Sequence, residues 1–138
     1  MVSYEGISEY AVKKMLDHLM GRAAWTMPTT VSLALYNGDP LAGGTELVAP
    51  PATGYARVAI TCSAATFTSP TGTILNSADI DFGTAGSVWG VVNYIAIFDQ
   101  LGNMLYSGPL EVTRSIQLND PVSFPASELK VRASQTIS

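Results

Sequence analysis

The chain has 138 residues, close to the commonest size of a single domain. Its hydrophobic fraction is 47% and its charged fraction only 13%, a composition that can bury a core and that excludes a disordered polyelectrolyte. Seven Lys and Arg residues are scattered along the sequence and are outnumbered by eleven Asp and Glu residues, for a net charge of -4, so no basic patch for nucleic acid is visible.

The first predicted element is a helix over residues 8–20. Ser8 is suited to the N-cap position, and Gly21 is the expected stop. The apolar residues of this segment recur with helical spacing on one face: Val12, Met15, Leu16 and Leu19. A helix of about 12 residues is marginal alone in water, so the apolar stripe must dock on the sheet of the same chain or on a neighbouring subunit.

After Gly21 the pattern changes to short segments separated by turn residues. An extended linker leads into a strand at residues 31–36, a dense turn follows at 37–40, and further strands are predicted at 55–61 and 88–98. Gly108 and Pro109 are expected to separate a strand at 104–107 from one at 111–118. About eight short strands without crossover helices predict an antiparallel β-sandwich, of immunoglobulin-like or jelly-roll type, with one short N-terminal α-helix.

Two parts are expected along the chain. Residues 1–30 form an N-terminal arm that contains the helix and the linker, and residues 31–138 form the β-sandwich domain. Within the sandwich, residues 41–54 form a connection of about 14 residues, which is longer than ordinary loops. We expect it to be either a functional loop or a mobile excursion at a sheet edge.

Residues capable of catalysis are sparse. The single histidine, His18, has no second His or Cys to share a metal, so we interpret it as a surface residue. Cys62 has no disulfide partner and no neighbouring cation, which favours a buried apolar role. No apolar stretch is long enough to cross a bilayer, and residues 1–9 lack the basic start of a signal peptide, so we expect no membrane partner and folding in a cytosol.

The acidic residues single out no reaction. Asp79 and Asp81 are two residues apart on a predicted strand and face the same side, where they could hold Ca²⁺, but alternation toward solvent explains them equally well. No spacing selects a catalytic pair from the other candidate carboxylates: Asp39, Glu46, Asp99 and Glu111. The sequence therefore predicts no catalytic residue, no cofactor and no metal site. Several aromatic side chains could stack on a sugar but are expected to fill or cap the core: Trp25, Tyr55, Trp89, Tyr94 and Tyr106.

Short motifs follow one another along nearly the whole chain. The first is Leu-Asp-His-Leu at residues 16–19, and the second is T-x-P-x-T-V-x-L-x-L-Y at 26–36. The others are Gly-Asp-Pro (38–40), Gly-Thr-Glu (44–46), Gly-Tyr-Ala-Arg (54–57), Asn-Ser-Ala-Asp-Ile-x-Phe (76–82), Trp-Gly-x-Val (89–92), Ile-Phe-Asp (97–99), Gly-Asn-Met-Leu-Tyr (102–106) and Gly-Pro-Leu (108–110). In this order they resemble a family of small tailed-bacteriophage virion proteins commonly labelled phage tail fibre protein. The Ala-Pro-Pro-Ala stretch at 49–52 departs from the shorter Gly/Ser stretch expected there.

The resemblance implies a non-enzymatic structural component of a phage virion, tail fibre or tail-associated, folded in the cytoplasm of the bacterial host. It implies two kinds of partner: other phage structural proteins and further copies of the chain, with three-fold symmetry the expectation for phage appendages. A capsid cement or decoration protein is an alternative, and a host-glycan-binding module is a further one.

An apolar chain with few charges is expected to expose apolar patches, and such patches usually mark interfaces. The candidate interface residues are the helical stripe and the first tryptophan: Val12, Met15, Leu16, Leu19 and Trp25.

Overall fold

A computed structural model describes residues 2–69, 73–131 and 134–137. Within these ranges the chain forms one α-helix and twelve strands, in the order β1 (Val2–Glu5), α1 (Glu9–Leu19), β2 (Thr30–Asn37), β3 (Thr45–Glu46), β4 (Val58–Thr61), β5 (Phe67–Thr68), β6 (Ile74–Asn76), β7 (Ile80–Thr84), β8 (Gly90–Asp99), β9 (Met104–Ile116), β10 (Pro121–Phe124), β11 (Lys130–Val131) and β12 (Ser134–Ile137). The prediction of a mainly β fold with one helix near the N-terminus is confirmed.

The main layer is a five-stranded sheet in which β2 and β8 occupy the centre. The strand order is β3-β2-β8-β9, and β4 pairs with the same edge of β2 beyond β3. Three smaller sheets complete the fold: β7 with β10, β6 between β5 and β11, and β1 with β12. All of these pairings are antiparallel, as predicted.

The principal core lies between the five-stranded sheet and two of the smaller sheets, β7–β10 and β5–β6–β11. Leu33 and Leu35 of β2 point into it together with Val92 of β8, and all three side chains are almost fully buried. From the smaller sheets, β7 contributes Ile80 and Phe82. This arrangement of two facing layers explains the alternation of apolar residues along β2, since only one face of the strand meets this core.

Of the five aromatic residues expected to fill or cap the core, Tyr55, Trp89 and Tyr106 belong to this core or pack against it, whereas Trp25 does not. The Tyr55 ring stacks on Phe82 with centroids 6.3 Å apart, and Trp89 meets Tyr55 edge-on at 5.7 Å. The indole N–H of Trp89 donates to the carbonyl of Thr53 over 2.9 Å, so its polar atom is satisfied. Tyr106 is half-buried and packs against the same core.

The other face of the sheet carries a second, smaller apolar cluster. It consists of four buried residues from the two central strands: Ala34, Tyr36, Ala96 and Phe98. Tyr94 is half-buried and packs against this cluster, and Arg57 lies over the Phe98 ring with its guanidinium carbon 3.9 Å from the centroid. The main sheet therefore buries apolar side chains on both of its faces, which explains why residues 88–98 are almost continuously apolar.

One strand prediction is wrong. Gly108 and Pro109 do not separate two strands, because β9 runs without interruption from Met104 to Ile116. Since β9 lies at the end of the five-stranded order, a residue without an N–H is tolerated there. The pairing with β8 shifts register between Val92 and Tyr94, which accommodates extra residues of β9.

The long connection over residues 41–54 folds back onto the sheet. It begins with a turn of 3-10 helix at Pro40–Ala42, whose first turn Asp39 caps by accepting from the Leu41 N–H over 2.9 Å. Its middle supplies β3, and Ala52 near its end is 3% exposed and belongs to the core. A Cβ atom on Gly44 would lie 2.2 Å from the carbonyl oxygen of Gly38, so only glycine allows this close approach.

Candidate assembly surface

Helix α1 starts at the edge of strand β9. The Ser8 hydroxyl accepts from the Ala11 N–H over 3.1 Å, which confirms the predicted N-cap, and it also donates to the Met104 carbonyl. The backbone on either side extends the sheet, since the Ser8 N–H donates to the Leu105 carbonyl over 2.9 Å. Gly21 follows the helix with a φ of 71°, as expected of its stop.

The apolar stripe of α1 is covered along only part of its length. Val12 and Met15 are half-buried, and the helix packs on β9. Leu16 is 48% exposed and Leu19 76% exposed, and the neighbouring Met20 is 76% exposed. The end of the stripe therefore presents apolar side chains to solvent, although the sequence alone left open whether the whole stripe would dock on the same chain.

Charged groups hold the segment after the helix close to it. Asp17 accepts from Lys13 and from Arg22, each over 3.0 Å, and these two hydrogen bonds lower the pKa of the Asp17 carboxyl. His18 is exposed, as predicted, and its Nδ1 accepts from the backbone N–H of Trp25 over 3.1 Å. The chain thus turns back along α1 and brings Trp25 beside it.

Trp25 lies on a different flank of α1 from the exposed leucines. Its ring meets Tyr10 edge-on, with centroids 6.5 Å apart and an angle of 86° between the planes. Tyr10, Lys14 and His18 recur every four residues, so they share the flank that faces Trp25. Leu16 is two residues from Lys14, which is about 200° of rotation and places it on the opposite flank. The structure therefore divides the five candidate interface residues into two groups: Trp25 on one flank of α1, and the helical stripe of Val12, Met15, Leu16 and Leu19.

The carboxylates that the sequence left open make local structural contacts. Asp79 accepts from the Ala126 N–H over 3.0 Å, and Asp81 accepts from the Gly83 N–H over 2.7 Å; both residues are exposed. Asp99 is buried and caps the β8–β9 turn by accepting from the Leu101 and Asn103 N–H groups. Among the residues that the structure describes, no three His, Cys, Asp or Glu side chains lie close enough together to hold a metal ion.

Glu46 is bound in a polar cluster that sequence reasoning missed. Arg57 donates to both of its carboxylate oxygens, over 2.7 and 2.9 Å, and the Tyr55 hydroxyl donates to Oε2 over 2.8 Å. Burial raises the pKa of Glu46, but these hydrogen bonds and the Arg57 charge outweigh burial and leave the pKa below its usual value. The Tyr55 hydroxyl also accepts from the Leu35 N–H of β2 over 3.1 Å, between the stretches where β3 and β4 pair with that strand. The separate motifs Gly-Thr-Glu and Gly-Tyr-Ala-Arg were the available signal, since they supply these side chains.

Cys62 is half-buried against the core rather than fully buried as predicted. Burial raises the pKa of its thiol, which disfavours the reactive thiolate. Among the described residues, no helix combines the length and apolarity that crossing a bilayer requires. These features match a protein whose polar side chains organise turns and strand edges.

Comparison with known proteins agrees with the order of the motifs. A family model described as podophage GP4 fiber I protein gp80 matches residues 6–132, which confirms the predicted resemblance to phage tail fibre proteins. No curated protein matches the chain. The matched range takes in the helix, the five-stranded sheet and the core of the sandwich, and the chain therefore belongs to the podophage GP4 fiber I protein gp80 family.

Proposed function

We propose that this protein is a non-enzymatic structural component of a podophage fibre and is carried on the virion. The match to a fibre protein family over residues 6–132 is the observation that carries this proposal. The side-chain chemistry supports it, because Asp39, Glu46 and Asp99 are each engaged in a cap, an ion pair or a turn rather than facing a cleft as a catalytic pair.

We further propose that assembly uses the N-terminal arm, residues 1–30, and leaves the sandwich of residues 31–138 as the rigid body. Leu16, Leu19 and Met20 form an exposed apolar surface at the end of α1, which we name the helix-end surface. Val12 and Met15 continue it toward β9 as half-buried residues. Exposed contiguous apolar side chains on a small domain usually mark an interface.

The proposed partners are further copies of the chain, closing as a three-fold ring, together with other structural proteins of the particle. A closed ring satisfies the apolar surface of every copy equally, whereas an open arrangement leaves one surface uncovered at each end. The long loop over residues 41–54 contributes two further exposed apolar side chains, Leu41 at 61% and Val48 at 60% exposure.

The oligomeric state tests this proposal. Wild-type protein should elute in size-exclusion chromatography with light scattering at three times the mass of one chain. Replacing both Leu16→Ser and Leu19→Ser should give monomers, since removing two leucines that the proposed contact buries weakens each contact by about 3 kcal/mol, or about a hundredfold.

The matched control is Leu118→Ser, which removes a leucine of similar exposure, 55%, from the turn after β9. It should leave the oligomer intact. Wild-type protein that remains monomeric at the highest concentration reached would overturn the proposal, as would a double variant that still assembles. Antibody labelling of intact particles should mark the fibres, and labelling confined to the capsid surface would favour the decoration-protein alternative.

A further inference from the structure

Two aromatic side chains remain outside the apolar core. Every other aromatic residue whose side chain the structure describes belongs to one of the two core clusters or packs against one. Tyr10 and Trp25 do neither, and each is only half-buried. Core packing therefore does not account for this pair.

The two rings line a groove of about 200 Å³ at one end of the sandwich. Besides the two rings, three segments line the groove: helix α1 contributes Lys14, the returning chain contributes Ala24, Thr26 and Pro28, and the β8–β9 turn contributes Asp99, Gln100 and Leu101. The groove is open to solvent and has the size of one small-molecule ring rather than of a protein segment.

The polar groups around the groove are accessible to a ligand. Between residues whose side chains the structure describes, none of the hydrogen bonds involves the indole N–H of Trp25, the Tyr10 hydroxyl, the Thr26 hydroxyl or the Gln100 amide, and these groups face solvent. The Lys14 ammonium lies over the Tyr10 ring, 5.7 Å from its centroid. By contrast, the indole N–H of the buried Trp89 donates to a carbonyl.

The groups that form the groove are held in place by other contacts. The Trp25 backbone N–H donates to His18 Nδ1 over 3.1 Å, and the Arg22 and Ala23 N–H groups donate to the Asp17 carbonyl over 2.8 and 3.2 Å. In the β8–β9 turn, Asp99 accepts hydrogen bonds from the Leu101 and Asn103 N–H groups and so fixes the turn that carries Gln100. Contacts within the chain therefore hold the groove in shape, which lowers the entropic cost of binding.

We propose that this groove binds one pyranose ring of a saccharide. A pyranose has apolar C–H faces that pack on an aromatic ring and a rim of hydroxyl groups that donate and accept hydrogen bonds. The groove offers both: aromatic surface from Trp25 and Tyr10, and hydrogen-bonding groups from Lys14, Thr26 and Gln100. An apolar ligand would displace water from these polar groups without replacing its hydrogen bonds, and a bare anion would leave the aromatic surface unused. The proposal goes beyond the fibre role and does not depend on it.

The test is an NMR titration of the full chain labelled with ¹⁵N. D-Glucose, D-galactose, L-rhamnose and N-acetyl-D-glucosamine are added separately. At least one sugar should shift the indole N–H signal of Trp25 and the side-chain amide of Gln100 in a saturable way, with millimolar affinity as expected for a small open site. The indole signal of Trp89, buried elsewhere, should stay in place.

Three variants complete the test. Trp25→Ala should weaken sugar binding at least tenfold, as followed by the side-chain amide signal of Gln100. Gln100→Ala, in the β8–β9 turn, should weaken sugar binding several-fold, as followed by the indole signal of Trp25. Met27→Ala is the matched control, because Met27 is 81% exposed, lies two residues from Trp25 and does not line the groove. It should bind as wild type does.

The outcomes separate this proposal from the assembly proposal. The variant with Leu16→Ser and Leu19→Ser should bind the sugar as wild type does, whatever its oligomeric state. No saturable shift with any of the four sugars would overturn the saccharide site, as would binding that survives both Trp25→Ala and Gln100→Ala unchanged.

Discussion

Asn76 shows how one side chain can fix a loop. It is 2% exposed, and its amide nitrogen donates to the carbonyls of Ala78 and Pro125 over 2.8 and 3.0 Å. Its side-chain oxygen accepts from the Leu129 N–H over 3.0 Å, and its backbone carbonyl accepts from the Ser127 N–H over 2.9 Å. The asparagine that opens the Asn-Ser-Ala-Asp-Ile-x-Phe motif therefore joins β6 to the loop that follows β10.

Replacing Asn76→Ala should destabilise the fold by about 3 kcal/mol, because it leaves the buried Leu129 N–H and two part-buried carbonyls without partners. The expected fall in Tm is about 10 °C for a chain of this length. Ser77→Ala is the control, since Ser77 is exposed and should shift Tm by no more than about 2 °C. Thermal unfolding followed by circular dichroism makes the comparison, and equal Tm values for the two variants would contradict this role of Asn76.

The charge state of Glu46 affects the stability of the sheet edge at which β3 and β4 pair with β2. Its ion pair with Arg57 is partly exposed, with side-chain exposures of 21% and 38%, so solvent screens it and its contribution is modest. In the folded chain the pKa of Glu46 lies below its usual value of 4.5. Burial raises this pKa, but the hydrogen bonds from Arg57 and Tyr55 and the charge of Arg57 lower it by more. A lowered pKa means that the ionised form stabilises the fold above pH 4.5 and that this contribution is lost as the pH falls below that value.

Glu46→Gln should therefore lower the free energy of unfolding by about 1 kcal/mol near neutral pH. The difference from wild type should shrink as the pH drops below 4.5 and vanish once Glu46 is protonated in the folded chain as well. Glu111→Gln is the matched control, because Glu111 is exposed and should give the wild-type profile. Urea unfolding over a series of pH values measures this, and a stability difference that grows in acid would reverse the assigned sign.

At the scale of elements, the entry into α1 couples the helix to the sheet. Ser8 is 5% exposed, and its hydroxyl accepts from the Ala11 N–H of the helix. Toward strand β9, the hydroxyl donates to the Met104 carbonyl and the Ser8 backbone N–H donates to the Leu105 carbonyl. On the other side, the Ser107 N–H donates to the Gly6 carbonyl over 2.7 Å. The chain that leads into the helix therefore covers the first residues of the β9 edge, 104–107, and prevents another strand from pairing there.

Ser8→Ala should loosen the helix more than the sheet. The variant loses the cap and leaves the buried Met104 carbonyl without its donor, at a cost of about 2 kcal/mol. Ser8→Thr keeps a hydroxyl and should restore most of this stability. Amide hydrogen exchange of α1 should accelerate in the alanine variant while β8 remains protected until global unfolding; equal acceleration in both elements would show that the helix is not a separable unit.

At the scale of the molecule, periodicity predicts long elements and fails for short ones. The helical spacing of Val12 to Leu19 predicts α1, and the alternation over residues 31–36 predicts β2, because each pattern spans enough residues to define a face. Strands β3, β5 and β11 have two residues each, too few for any period to be visible. Pro109 illustrates a different difficulty, since its effect depends on whether its strand lies at an edge, and the edge is set by pairing far along the chain.

The candidate surface follows the same division. The residues that form it could be predicted from the sequence, because helical spacing places the stripe residues on one face of α1. Which of them remain exposed could not, since that depends on where α1 ends relative to β9. The link between Glu46 and Arg57, eleven residues apart, likewise depends on the path of the loop between them.

The separation of Leu16 from Tyr10, Lys14 and Trp25 on α1 has a consequence for how the proposed sites act together. If a second copy docks on the helix-end surface as proposed, the groove beside Trp25 on the other flank would stay open, and every subunit of the proposed ring would offer one groove to the same target. Weak individual binding then gains from avidity: once one site is occupied, the others meet a high effective concentration of a repeating polymer, and overall binding can tighten by about 10² to 10⁴. A particle with many such appendages could hold a surface firmly while each single contact still releases quickly.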